Sequence, residues 1–117
     1  MKAQIGLRQF EKILVRAYAR WLVESGWWDL IKEGKCITDA FPCSLYVLYE
    51  HFLPGEIRRM DFEVVVELTR RVSKLPSSEV EYAYHPMATT IEGRHTIAVK
   101  WRRLQKMGLL PREPVEW

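Results

Sequence analysis

Side chains able to do chemistry are few in this chain, and most stand apart from one another. There are three histidines, His51, His85 and His95, and two cysteines, Cys36 and Cys43. No histidine stands at paired metal-ligand spacing with another, and zinc would need two ligands beyond the cysteines. Two reduced thiols, packed as small hydrophobes, are expected instead. Glu50-His51 and His85 read as core-edge or cap residues rather than catalytic groups. The six glycines form no phosphate-binding loop, and no short motif marks a nucleophile with its base. Asp61, Glu63 and Glu67 fall early in a helix, where its dipole accounts for them. The sequence therefore predicts no enzyme, no metal site and no other cofactor.

Cations are the exception to this scatter. Residues 94–117 hold six basic side chains, Arg94, Lys100, Arg102, Arg103, Lys106 and Arg112, against Glu113 and Glu116, a balance of +4. The first 93 residues hold twelve bases and thirteen acids, a balance of −1. No acid interrupts the run from Arg94 to Lys106. A localised positive field of this kind is the footprint of a polyanion-binding surface.

The elements that must position these cations read as helices. Phe10, Ile13, Leu14, Ala17, Trp21 and Leu22 recur at helical spacing, predicting a helix over 7–24 closed by Gly26. Arg8, Lys12, Arg16 and Arg20 lie along another face of it at four-residue intervals. A short helix follows at Trp27–Glu33, where two adjacent tryptophans point about 100° apart and read as core plugs. Pro42 at a first turn predicts a helix through Phe52, with a strand as the alternative because Tyr46, Val47 and Tyr49 suit one. Met60, Val64, Leu68 and Val72 predict one long helix from about Ile57 to Lys74. Ser78 with Glu81 fits a capping box, predicting a short helix over 80–84. The fold class expected is all-α: a compact multi-helix domain over 1–110 with a tail at 111–117. With 48% hydrophobic residues and five tryptophans the chain can bury a core. No apolar run approaches the roughly 20 residues that span a bilayer, and the start lacks the pattern of a secretory signal. The cytoplasm is the expected compartment.

The segment from Pro86 to Leu110 ends this reading. Pro86 opens a short helix, Gly93 makes a turn, and Thr96 caps a second helix ending at Gly108. Ile97, Trp101, Leu104 and Met107 form its apolar stripe, while Lys100, Arg103 and Lys106 lie away from it and Arg102 lies at its edge. The arrangement resembles the helix-turn-helix of DNA-binding proteins, and Thr96–Leu110 is similar to the recognition helix of many bacterial regulators. Pro111 and Pro114 suppress strand pairing beyond it, so no wing is expected. A wider similarity, carried by Asp61–Leu75, Tyr82-Ala83-Tyr84 and Lys100–Gln105, is to phage late-gene antitermination proteins of the Q type and to the promoter-reading domain of sigma factors.

The resemblance implies a phage-like, DNA-binding transcription regulator. It would bind duplex DNA through Arg94, His95, Thr96, Lys100, Arg102, Arg103 and Lys106, with RNA polymerase or another protein as partner. Reaching two half-sites would call for a homodimer, with the apolar face of the first helix or of Met60–Val72 as interface. The alternative is a small adaptor or inhibitor acting on a larger nucleic-acid or transcription complex, anchored by Trp27, Trp28 and Trp117. Stacking of single strands on exposed rings ranks below both, since the sequence reveals no sheet platform.

Overall fold

The computed structural model describes residues 5–36 and 38–111. Helix α1, Leu7–Glu24, buries Phe10, Leu14, Ala17, Tyr18 and Leu22, following the predicted stripe. Gly26, at φ +89°, provides the left-handed turn into α2, Trp27–Lys32. Trp28 is buried and meets Trp101 at 5.9 Å between ring centroids, while Trp27 stacks on Phe41 at 4.1 Å.

Pro42 does not open the next helix. A two-residue strand, β1 (Cys43–Ser44), comes first, and α3 (Leu45–His51) starts after it. Ser44 is its cap, the hydroxyl accepting from Val47 N–H at 3.2 Å. The long helix expected over 57–74 is two helices, α4 (Gly55–Arg58) and α5 (Phe62–Ser73). The interruption frees carbonyls at Arg58 and Met60, and the Tyr49 hydroxyl sits against both, at 3.0 and 2.6 Å. An apolar spacing continuous in sequence thus spans a break that a tertiary hydrogen bond satisfies.

The all-α expectation needs a larger correction. The segment expected to follow the capping box as a helix is strand β2, Glu81–Tyr84. Ser78 does not cap a helix; its hydroxyl bonds Val80 N–H and the Glu11 carboxylate instead. Residues 85–90 form a loop, and one helical turn, α6 (Ile91–Arg94), leads directly into strand β3, His95–Ala98. The helix predicted from Thr96 is therefore a strand for its first turn, and only α7, Trp101–Lys106, is helical. Ile97 and Val99 point inward with period two, and Trp101 and Leu104 with helical period. Ile97, Trp101 and Leu104 also satisfy a continuous helical stripe on paper, but Met107, its expected last member, is 42% exposed and the buried Val99 lies off it.

The three strands form an antiparallel sheet in the order β1-β3-β2, with Cys43 opposite Ile97, Tyr82 opposite Ile97 and Tyr84 opposite His95. The result is mostly helical with a small sheet, α1 packing on α5 and α2, and α5 packing on β2. Among the described residues no helix is long and apolar enough to cross a membrane. Of the expected tail, Pro111 is described, its carbonyl accepting from the Gln105 amide at 2.7 Å; the remainder lies outside the described residues.

One polar group ties the helical and sheet parts together. Glu11 on α1 is only 7% exposed. Its carboxylate pairs with Arg8 at 3.0 Å, and accepts from Ser78 Oγ at 3.1 Å and Glu79 N–H at 2.9 Å. Glu11→Ala strands the Glu79 N–H, so a loss of about 2 kcal/mol is expected, read as a lower midpoint in urea denaturation. A midpoint unchanged from wild type would show that water replaces the carboxylate without cost.

Candidate nucleic-acid interface

Strand β3 divides the residues that the sequence placed on one helix. Arg94 closes α6, His95 and Thr96 lie in β3, and Lys100 stands at the N-cap of α7, which carries Arg102, Arg103 and Lys106. Four strand residues at about 3.3 Å each separate Arg94 from Lys100, so the seven residues do not share one helix face.

Within the β3 group, His95 and Arg94 turn toward α5, and Thr96 turns to the other face. His95 Nδ1 lies 2.7 Å from the Tyr82 hydroxyl, and burial pushes its pKa below the ordinary histidine value, favouring the neutral ring. Thr96 Oγ1 lies 2.9 Å from His85 Nε2. Arg94 is exposed at the rim of a groove with Glu63, Val66, Glu67, Arg70, Tyr82, Tyr84 and His95. Acids and bases alternate there.

The α7 group is different in character. Trp101 and Leu104 bury one side of the helix, leaving Lys100, Arg102, Arg103 and Lys106 exposed. The Trp101 indole N–H donates to the Thr38 carbonyl at 3.0 Å, which fixes the rotation of the helix. Arg102 lies over the Trp101 ring, 4.4 Å from its centroid. Arg103 makes a two-pronged bond to Glu79, at 3.0 and 2.7 Å. Lys106 is one turn on and so faces the same way as Arg103. Lys100 and Arg103 share a cleft with Ser77, Ser78, Glu79 and Glu81.

The fold then adds cations that the sequence reading left outside the site. Arg8, Lys12, Arg16 and Arg20 all lie on the exposed arc of α1, rising about 6 Å from one to the next along the axis. The chain of α7 is tied along this helix at two points. Near its start, Arg103 bonds Glu79, whose N–H bonds Glu11 one turn from Arg8. Beyond its end, Leu109 lies in a groove with Arg16, Ala19, Arg20 and Val23. Arg8 is paired with Glu11 and Arg20 with Glu24, whereas Lys12 and Arg16 have no carboxylate partner among the described residues. The four-residue spacing of these bases is visible in the sequence, but the two links that tie their helix to the segment of α7 arise only from tertiary packing.

The tryptophan anchors of the alternative reading are placed less favourably. Trp28 is 3% exposed, Trp27 is half-buried against Phe41, and Trp117 lies outside the described residues. Among the described residues no three His, Cys, Asp or Glu side chains come together as a metal-holding group. Cys36 and Cys43 are free thiols, and burial pushes the Cys43 thiol well up from its ordinary pKa. Compared with known proteins, the chain matches no family model, no curated protein and no solved structure.

The Arg103–Glu79 pair carries a signature in pH. The hydrogen bond from Arg103 holds the Glu79 carboxyl below the usual glutamate range. A depressed folded-state pKa contributes stability above the unfolded-state value and loses it as pH falls through the folded one. Wild type should therefore be more stable than Arg103→Ala at about pH 6, the gap narrowing as pH falls below the usual glutamate range and the carboxylate protonates. A gap that stays constant across that range, measured by chemical denaturation, would contradict the pairing.

Proposed function

We propose that this chain is a nucleic-acid-binding protein that grips the phosphate backbone of duplex DNA through the joined cationic surface of α1 and α7. The observation that carries the reading is the pair of links that draw the two rows of cations together: Arg103 reaches Glu11, one turn from Arg8, through Glu79, and Leu109, beyond the end of α7, lines a groove with Arg16 and Arg20. The interleaved acids are few, and Glu11 is buried beneath the surface. Spaced cations on two ridges suit a regular row of phosphates, and contacts of this kind position a duplex without reading its sequence. Arg102 extends the same surface at its α7 edge.

The segment whose pattern resembles a helix-turn-helix, 86–110, folds instead as a loop, a helical turn, strand β3 and α7, so the reading rests on charge and not on that motif. The outer side of α5 offers Glu63 and Glu67 as well as Arg70 and Arg71. Its charges nearly cancel, so the phosphates are assigned to α1 and α7. A DNA-associated regulatory role follows from this reading. The adaptor alternative draws no support from Trp28, whose ring is spent in the core.

Salt dependence and substitution test the proposal. Wild type should retard duplex DNA of unrelated sequences to similar extents, with affinity falling steeply as salt rises. Lys12→Ala/Arg16→Ala should weaken all duplexes alike and flatten the slope of log K against log salt by about 2. Arg94→Ala should leave duplex binding unchanged. An unaltered slope in the double variant would remove α1 from the interface, and no retardation by wild type at low salt would remove the proposal.

A further inference from the structure

On the side of the sheet that faces α5, three rings are gathered that the duplex-binding surface does not use. Tyr84 is opposite His95 and Tyr82 opposite Ile97 across the β2–β3 pair, and directly opposed residues share a face. His95 lies among Tyr84 at 5.2 Å, Phe62 at 5.9 Å and Tyr82 at 6.0 Å between centroids. The Tyr82 hydroxyl holds the imidazole from within the cluster. Tyr84 is the outermost ring and is 57% exposed. It is a flat apolar surface, backed by His95 and open to water. This is the sheet platform that the sequence did not reveal.

The groove beside these rings has a volume of 370 Å³ and carries charges of both signs. Glu67 is engaged by both Arg70 and Arg71. Glu63 and Arg94 have no ion pair among the described residues. What remains is therefore an aromatic plate, one carboxylate and one guanidinium. A ligand complementary to it is planar, has a hydrogen-bond-donating edge, and carries a single negative charge.

We propose that this groove takes an unpaired guanine of a single-stranded nucleic acid, stacked on Tyr84, with its donor edge toward Glu63 and its phosphodiester toward Arg94. Guanine presents two adjacent donors, the ring N1–H and the exocyclic amine, to a carboxylate. Adenine and cytosine place a ring-nitrogen lone pair beside their amine, and thymine or uracil flanks its single N–H with carbonyls, so each repels one carboxylate oxygen. A phosphodiester brings one negative charge for the one uncommitted cation. The dianion of a free monophosphate would face Glu63 and Glu67 with too little positive charge. This site is separate from the α1–α7 surface, and it adds base recognition to a protein otherwise assigned only backbone contacts.

Fluorescence anisotropy with labelled oligothymidylate of about eight nucleotides, and the same strand with one central guanine, tests the proposal. The guanine strand should bind about tenfold more tightly, the scale of the hydrogen bonds to a carboxylate that thymine does not make. Tyr84→Ala, an exposed and so structurally mild change, and Glu63→Gln should each erase that preference while leaving the all-thymine strand bound. Lys12→Ala/Arg16→Ala should weaken both strands equally and keep the preference, so loss of the backbone surface and loss of the guanine site give different results. Equal binding of the two strands, or a preference that survives Tyr84→Ala, overturns the proposal. Free guanosine monophosphate competing as well as the guanine strand overturns its assignment to a strand. If wild type retains neither strand, the His95 ring-proton resonances are followed with a guanosine-containing dinucleotide: an upfield shift supports the site, and no shift overturns it.

Discussion

The carboxylate of Glu11 draws the turn before β2 onto α1, and the placement of the cationic side of the molecule depends on that contact. Ser78 and Glu79 are held by their hydrogen bonds to it. Glu79, so fixed, presents its own carboxylate to Arg103 and sets the lateral position of α7. A buried carboxylate is costly unless its oxygens are occupied, and here a guanidinium, a hydroxyl and a backbone N–H occupy them. The arrangement is cooperative: removing the acceptor would loosen the turn, and with it the partner that orients Arg103.

Helix α1 was legible from spacing alone because nothing nonlocal contradicts its 3.6-residue period. The segment from His95 to Lys106 was not. Ile97, Trp101 and Leu104 are buried whether the chain is helical throughout or turns from strand to helix at Val99 and Lys100. The choice is made by pairing with residues 81–84, more than ten positions away, and a local pattern carries no record of a strand partner. Val80, Tyr82 and Tyr84 did carry a period of two, but the Ser78–Glu81 pair imitated a helix cap. The break at Met60 was hidden for a related reason, since the Tyr49 hydroxyl that satisfies it comes from another helix. For the candidate interface, the cations themselves were plain in the sequence. Their grouping was not: Lys100, Arg102, Arg103 and Lys106 looked like one helix with Arg94 just before it, while Arg16 and Leu109 looked unrelated.

Charge separates the two faces of the molecule more clearly than shape does. On the α1–α7 side Glu11 is buried, Glu24 and Glu79 are engaged by an arginine, and Glu81 stands exposed in the cleft of Lys100 and Arg103. Exposed ion pairs add little stability, but they set where net charge remains. That residue of charge falls at Lys12 and Arg16, in the middle of the α1 ridge. On the α5 side Glu63 and Glu67 offset Arg70 and Arg71, so a long-range field toward a polyanion is weak there. Recognition on that side must come from contact with rings and hydrogen-bonding edges.

The conversion of one expected helix into a strand and a short helix has a consequence for both faces. As a continuous helix, 96–107 would carry its basic residues on one cylinder and offer a single phosphate-binding ridge. The strand reverses this by pairing His95 with Tyr84 and sending Arg94 to the rim of the α5 groove, while Lys100 begins a new element beside Glu79. Burial of Ile97 in the strand and of Val99 just past its end supplies the driving force. A run of cations that is continuous in sequence is thereby divided between a surface governed by net charge and a groove governed by aromatic contact, with the antiparallel pairing of four residues as the cause.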